Sequence, residues 1–435
     1  MPTNPTFFAD SVIFSERVDL LELLRGCDQQ PIFYWEHPSR GFAIAAAGAV
    51  AEFRANGPNR FHEISGQVSE FLARLPKHAV GVGPIAVGGF GFSDQDSRAS
   101  QWREFPAAWF FVPRALWIRR GGECTFAKIS GGGSNGCAAP AAFDAGNAHA
   151  CPEADEHSAI HAPQPDVGER DRWRERVERA SAMIAAGRLK KIVLSRQLTI
   201  DSESPIDAAG IIDTARGSRP QCYNFWIRRG ASSFVGSTPE LLIRVDGGNL
   251  TSGALAGSAA RGCDPEDDRA LGDSLLHSAK NLEEHAYVVN HVRSALQTVA
   301  ALDPAEAPRL MRLPEVQHLF SPITGTLRDK LSTFELAGLL HPTPAVCGVP
   351  SGEAASILER EEPYRGWYTG AVGWMDAHGA GELAVALRSA LIEGNRMILC
   401  AGSGIVADSD PDAEFAETET KFNAMLRSAK VGNAA

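Results

Sequence analysis

Three strand-like segments near the C-terminus, YTGAVGWMD (368–376), ELAVALRSALI (382–392) and RMILCAGSGIV (396–406), are separated by only a few residues each, one link being the tight turn EGN (393–395). Parallel neighbours need a crossover of a dozen residues or more, so links this short commit the segments to antiparallel pairing. The same Gly-punctuated, β-rich pattern stands upstream in AVGVGPIAVGGFGF (79–92) and AAWFFVPRALWIRRGG (107–122). Helical periodicity interrupts it. Trp173, Val177, Ala180 and Ile184 recur at helical spacing before Gly187, KKIVLSRQLTI (190–200) then reads as a strand, and NLEEHAYVVNHVRSALQTV (281–299) as an amphipathic helix with Val288 and His291 on the face of Glu284. Irregular alternation of helices and closely linked strands predicts an α+β fold with large antiparallel sheets, not a doubly wound parallel one.

The chain has 435 residues, 44% hydrophobic and 22% charged, enough for one large or two medium domains. Residues 131–168 turn to Gly, Ala, Pro, Asp and His without an apolar period, and read as a loop or linker between an N-terminal β-rich portion (1–130) and a larger portion (169–435). A net charge of −11 argues against nucleic acid or an anionic membrane as partner, and an anionic substrate would need a local cationic pocket. The N-terminus lacks a basic start followed by an apolar core, and the most apolar stretch is broken by glycines and a proline, so neither signal peptide nor membrane span is expected. Eight cysteines without a CxxC pair fit reduced thiols in a cytoplasmic enzyme.

Several charged residues admit either a structural or a chemical role. Glu284 is a carboxylate on the 281–299 helix, ordinary if exposed there. Asp410 and Pro411 make a good helix start, after which Glu414, Glu417 and Lys421 share one face; acidic residues in a first turn are also favoured by the helix dipole. Strand alternation in ELAVALRSALI puts Glu382, Ala384, Ala386 and Arg388 on one face, either as a structural ion pair or as a site where small neighbours leave room for a ligand. Lys191 opens a strand, where most lysines extend to solvent. Gly402 and Gly404 in AGSG permit close backbone approach to an anion, although glycine pairs are common in turns. His318 in VQHLFS is compatible with a core histidine, and Glu240 in STPELLIRV with a surface carboxylate before a strand.

The ordered blocks KNLEEH (280–285), LLHPTPAVCGVP (339–350), GELAVALRSALI (381–392) and CAGSGIVADSDPDAEFAETETK (400–421) resemble those of the chorismate-utilising enzymes. The resemblance covers nearly all of the chain, most strongly from about Arg172 to Arg427. It implies a single large chorismate-binding domain, two antiparallel sheets packed as a sandwich with helices outside. It implies Mg²⁺ held by Glu284 and Glu417, with Glu283 and Glu414 behind them, a general base at Lys191 and a general acid at Glu240. It also implies substrate contacts from Ala256, Gly257, His318, Thr343, Ala345 and Tyr368, with Arg388, Gly402, Gly404 and Lys421 completing the set, Arg388 taking a carboxylate. The family carries lysine at the position of Lys191 when water is the nucleophile and glutamine when it is ammonia. Ala256 stands where aminodeoxychorismate synthases carry a nucleophilic lysine; Ala254 and Ser258 replace a common Pro and Thr. The expected reaction is the isomerisation of chorismate to isochorismate, run by a monomer without a glutaminase subunit. Salicylate formation by further loss of pyruvate is the nearer alternative, and a catalytically silent binding or scaffold subunit the non-enzymatic one.

Overall fold

Residues 7–14, 18–75, 83–131 and 167–430 are described by the computed structural model; nearly all of the 131–168 stretch lies outside them. The C-terminal segments pair antiparallel as their short links require. In the hairpin of Ser389–Glu393 with Arg396–Ile405, Glu393 faces Arg396, and Gly394 (φ 61°) takes the left-handed conformation of the turn at little steric cost.

Two sheets share one long strand, Ala108–Arg120. The first continues from it through Phe42–Ala55, Ile32–His37, Tyr223–Arg229, Ser232–Thr238, Ser389–Glu393 and Arg396–Ile405 to Lys191–Asp201. The second leaves through Ile85–Phe90, Ala371–Asp376, Gly381–Val385, Leu241–Asp246 and Asn249–Ala260 to Val316–Leu327. All of these pairs are antiparallel. Phe33, Trp35, Phe225 and Phe234 of the first sheet pack with Val87, Val372 and Ala384 of the second, and fully burying a large apolar side chain in this way contributes about 1.5–3 kcal/mol.

Helices cover the two outer faces. Ile64 and Val68, with Val288, Val292, Leu296 and Phe334, close over the second sheet, whereas Leu20, Leu24, Ile212, Phe422 and Met425 close over the first. The fold is therefore α+β, a sandwich with helices outside. No helix among the described residues is long and apolar enough to cross a membrane.

Two details depart from the pattern read in the sequence. The helix Ala279–Leu296 starts one turn's edge earlier than 281, because the Ser278 side chain accepts from Asn281 N at 3.3 Å; it buries His285 with Val288, Val292 and Leu296, while His291 is only half-buried. More important for function, ELAVALRSALI is not one strand. Gly381–Val385 ends in the second sheet and Ser389–Glu393 begins in the first, so residues 386–388 carry the chain from sheet to sheet and alternation fails there. Glu382 and Arg388 are thereby separated. Glu382 is fully buried against Arg40, with Tyr223 Oη at 3.2 Å and Arg244 at 3.6 Å. Arg388 takes a left-handed backbone conformation (φ 46°), rare for a residue with a Cβ.

Candidate active site

A second crossing runs beside the first. Strand Ser232–Thr238 lies in the first sheet and Leu241–Asp246 in the second, so Glu240 sits on a switch between them, as Arg388 does. The two switches are tied together: Val385 N donates to Glu240 O at 2.9 Å, and Ser237 N to Arg388 O at 3.0 Å. Where both sheets exchange strands they cannot close on each other, and a cavity of about 260 Å³ opens between their ends.

Glu240 lines this cavity, 4% exposed and free of any ion pair among the described residues. Burial raises its pKa from an ordinary 4.5 to about 7, against the opposing pull of Arg388, Lys191 and Lys421. A carboxyl poised there can hold a proton at neutral pH and give it up. Arg388, also on the wall, is buried and unpaired with any carboxylate among the described residues, and burial lowers its pKa. Its guanidinium donates to His318 Nε2 at 3.0 Å. An unpaired guanidinium in an enclosed site is a receptor for an anion.

Lys191 is not on the cavity surface itself. It is 1% exposed, and its Nζ lies 2.7 Å from Oε1 of Glu284, which is on the wall. Gly404 makes room for this pair: a Cβ there would stand 2.7 Å from Glu284 Oε1 and 2.9 Å from Lys191 Cε. Gly402 plays a similar part beside Tyr368, whose hydroxyl would be 3.2 Å from an added Cβ.

Two helices bring the remaining charges. From Ala279–Leu296 come Lys280, Asn281 and Glu284; from Pro411–Ser428, whose Asp410 cap accepts from Ala413 N at 2.8 Å, come Glu414, Glu417 and Lys421. Lys421 Nζ pairs with Glu417 at 2.6 Å and donates to Gly402 O at 2.8 Å. Burial pushes the Glu417 pKa up, but Lys421 and Ser403 outweigh it and hold the carboxylate below its usual range. Glu414, which accepts from Ser403, is raised by burial and by the neighbouring Glu417.

Of the residues singled out in the sequence, Ala256, Gly257, His318, Ala345 and Tyr368 also line the cavity, as do Gly402 and Gly404. Two do not. Glu283 lies one residue around the helix from Glu284 and instead accepts from the Tyr287 hydroxyl at 2.8 Å. Thr343 is buried behind the wall, where its carbonyl takes Val346 N at 3.1 Å and Cys347 N at 3.0 Å. Sequence reasoning missed a buried clamp behind Lys191. Glu362 accepts from Ser195 N at 2.7 Å, Ser195 Oγ at 2.6 Å and Arg365 Nε at 2.6 Å, and Arg365 donates onward to Val193 O at 2.6 Å and Val346 O at 2.8 Å. This ties the Lys191 strand to the wall segment at 345–346, and nothing in the local pattern around Glu362 announces a partner 167 residues away.

An enclosed cavity that pairs a protonatable carboxyl with a lysine and an unpaired arginine belongs to an enzyme of small anionic molecules working by acid–base chemistry. The chain belongs to the chorismate-binding enzymes, whose family model, described as chorismate binding enzyme, matches residues 5–430. It is 37% identical over 412 residues to the isochorismate synthase MenF of Bacillus subtilis, covering 91% of this chain and 87% of that protein. The salicylate biosynthesis isochorismate synthase of Pseudomonas aeruginosa is 35% identical, over 91% of this chain and 84% of the relative. Among solved structures, MenF, the menaquinone-specific isochorismate synthase of Escherichia coli, superimposes with a TM-score of 0.79 at 28% identity, covering 98% of this chain and 95% of that one.

Proposed function

We infer that the protein is an isochorismate synthase, converting chorismate to isochorismate by addition of water at C2 with loss of the C4 hydroxyl. The observation that carries this reading is the pair of buried groups of opposite duty, Glu240 poised near pH 7 on the cavity wall and Lys191 behind that wall against Glu284, beside an Arg388 that has no carboxylate partner among the described residues. Glu240, protonated, delivers its proton to the departing C4 hydroxyl. Lys191 takes the proton from the water attacking C2. Water consumed at one carbon is returned at the other, so the reaction is an isomerisation without net change in composition. Arg388 receives a substrate carboxylate, and the enclosing walls keep bulk water from competing with the positioned one.

The donor set suits a hard divalent cation. Glu284 and Glu417 present carboxylate oxygens on the cavity wall, each beside a lysine nitrogen, at 2.7 Å from Lys191 Nζ and 2.6 Å from Lys421 Nζ. Mg²⁺ takes few protein carboxylates and keeps several waters, so two carboxylates are enough to hold it. Glu284 and Glu417 would hold Mg²⁺, and the bound ion would neutralise the ring carboxylate of the substrate. Glu414 supports this group through Ser403.

The test is product identification. Purified protein with chorismate and Mg²⁺ should give isochorismate and no salicylate; salicylate without an added lyase would move the assignment to a salicylate synthase, and no turnover would sink both. Lys191→Ala should abolish product while leaving chorismate binding measurable.

A further inference from the structure

We propose that Ser258 is a positioning residue that acts through His318 to aim Arg388 into the cavity. The argument starts from what each group can donate. A guanidinium has donors only, so His318 Nε2, 3.0 Å from Arg388, must be the accepting nitrogen. A neutral imidazole then carries its proton on Nδ1, which lies 3.0 Å from Ser258 Oγ. The serine oxygen accepts that proton, and its own hydroxyl hydrogen remains for the cavity, which Ser258 lines.

The backbone builds this arrangement. Ser258 and His318 are directly opposed across the pairing of Asn249–Ala260 with Val316–Leu327, and opposed residues in antiparallel strands point to the same face. The register shifts between Ala256 and Ser258, where Gly257 (φ 76°) takes a left-handed conformation. That bulge puts a hydroxyl opposite the histidine. His318 is only 4% exposed, and burial together with Arg388 and Lys421 keeps its pKa well below the ordinary histidine value, so the ring stays neutral and can accept. Arg388 needs such a bracket, since it stands on an irregular crossing in a left-handed conformation and has no carboxylate to hold it among the described residues. Serine or threonine can fill this role at position 258; alanine cannot.

The consequence for turnover rests on the isochorismate synthase reading, but the tautomer does not. The experiment therefore has two arms. In the first, ¹⁵N-histidine-labelled enzyme is observed by NMR at neutral pH, with His318→Gln used to assign the His318 signals among the 12 histidines. The wild-type ring should show a proton on Nδ1 and an unprotonated Nε2, the tautomer that Arg388 imposes; Ser258→Thr should keep the wild-type Nδ1 resonance, and Ser258→Ala should shift it as the hydroxyl acceptor is lost. A wild-type ring protonated on Nε2, or doubly protonated, overturns the proposal whether or not any variant folds. In the second arm, Ser258→Ala should raise KM for chorismate about tenfold while kcat changes less than threefold, with Ser258→Thr restoring KM. An unchanged Nδ1 resonance and unchanged KM in Ser258→Ala also overturn it. If the wild type shows the expected tautomer yet does not turn over chorismate, the functional reading fails and the bracket stands.

Discussion

Replacing Glu240 by glutamine should make the enzyme both less active and, at alkaline pH, more stable. The carboxyl titrates near 7 in the folded protein against an ordinary 4.5, so between those values the native state binds more protons than the unfolded one. Its contribution to stability is therefore intact below about pH 4.5 and is lost as pH rises through 7. At 1.36 kcal/mol per pH unit, that gap makes ionised Glu240 cost about 3 kcal/mol above pH 8. Glutamine has the same shape and no charge to bury, so Glu240→Gln should recover most of that cost at pH 8.5 and almost none at pH 4.5. With an unfolding entropy near 2 cal/mol/K per residue, the gain corresponds to a Tm higher by about 3 °C. Calorimetric or urea unfolding at the two pH values measures it directly. Turnover should meanwhile fall about 10²–10⁴-fold, the usual worth of a general acid, with chorismate affinity retained. A variant whose Tm differs from wild type by the same amount at both pH values, or whose turnover stays within tenfold, would falsify the account of Glu240 as a buried, protonated acid.

Gly404→Ala should drive the Lys191–Glu284 pair apart, because the added methyl would lie 2.7 Å from the carboxylate oxygen; kcat should collapse at a stability cost of about 1–3 kcal/mol, read from steady-state kinetics and thermal unfolding. Arg388→Lys keeps the charge but loses the planar fork, and losing a charge-assisted hydrogen bond of about 1.5–3 kcal/mol should raise KM for chorismate roughly 10–100-fold; an unchanged KM would show that Arg388 does not receive the substrate. Glu417→Gln should weaken Mg²⁺ binding by roughly tenfold or more in calorimetric titration, while Glu283→Gln, altering a residue turned towards Tyr287, should leave it unchanged.

Much of the site was legible because its parts occur as short fixed blocks. The helices carrying Glu284 and Glu417 announce themselves by periodicity and by the Asp410–Pro411 start, and the glycines of AGSG stand in a segment that reads as a strand. Alternation misled at Glu382 and Arg388, since a period of two assumes that the strand stays in one sheet. Ser258 was visible only as a departure from a family pattern, and Glu362 not at all, because each acts on a partner brought to it by pairing or packing from far along the chain.

The sequence by itself determined the antiparallel α+β fold, since links of a few residues allow no other strand pairing, and it determined which residue types were present for acid–base and anion-binding chemistry. Only the tertiary structure decided where the chemistry could happen. The chain changes sheets at Glu240 and again at Arg388, and those two crossings, tied to each other by backbone hydrogen bonds, keep the sandwich open at one end and bury a carboxyl and a guanidinium there without ion-pair partners among the described residues. Burial, and with it the raised pKa of Glu240, is a property of everything packed around a residue, and no local pattern encodes it.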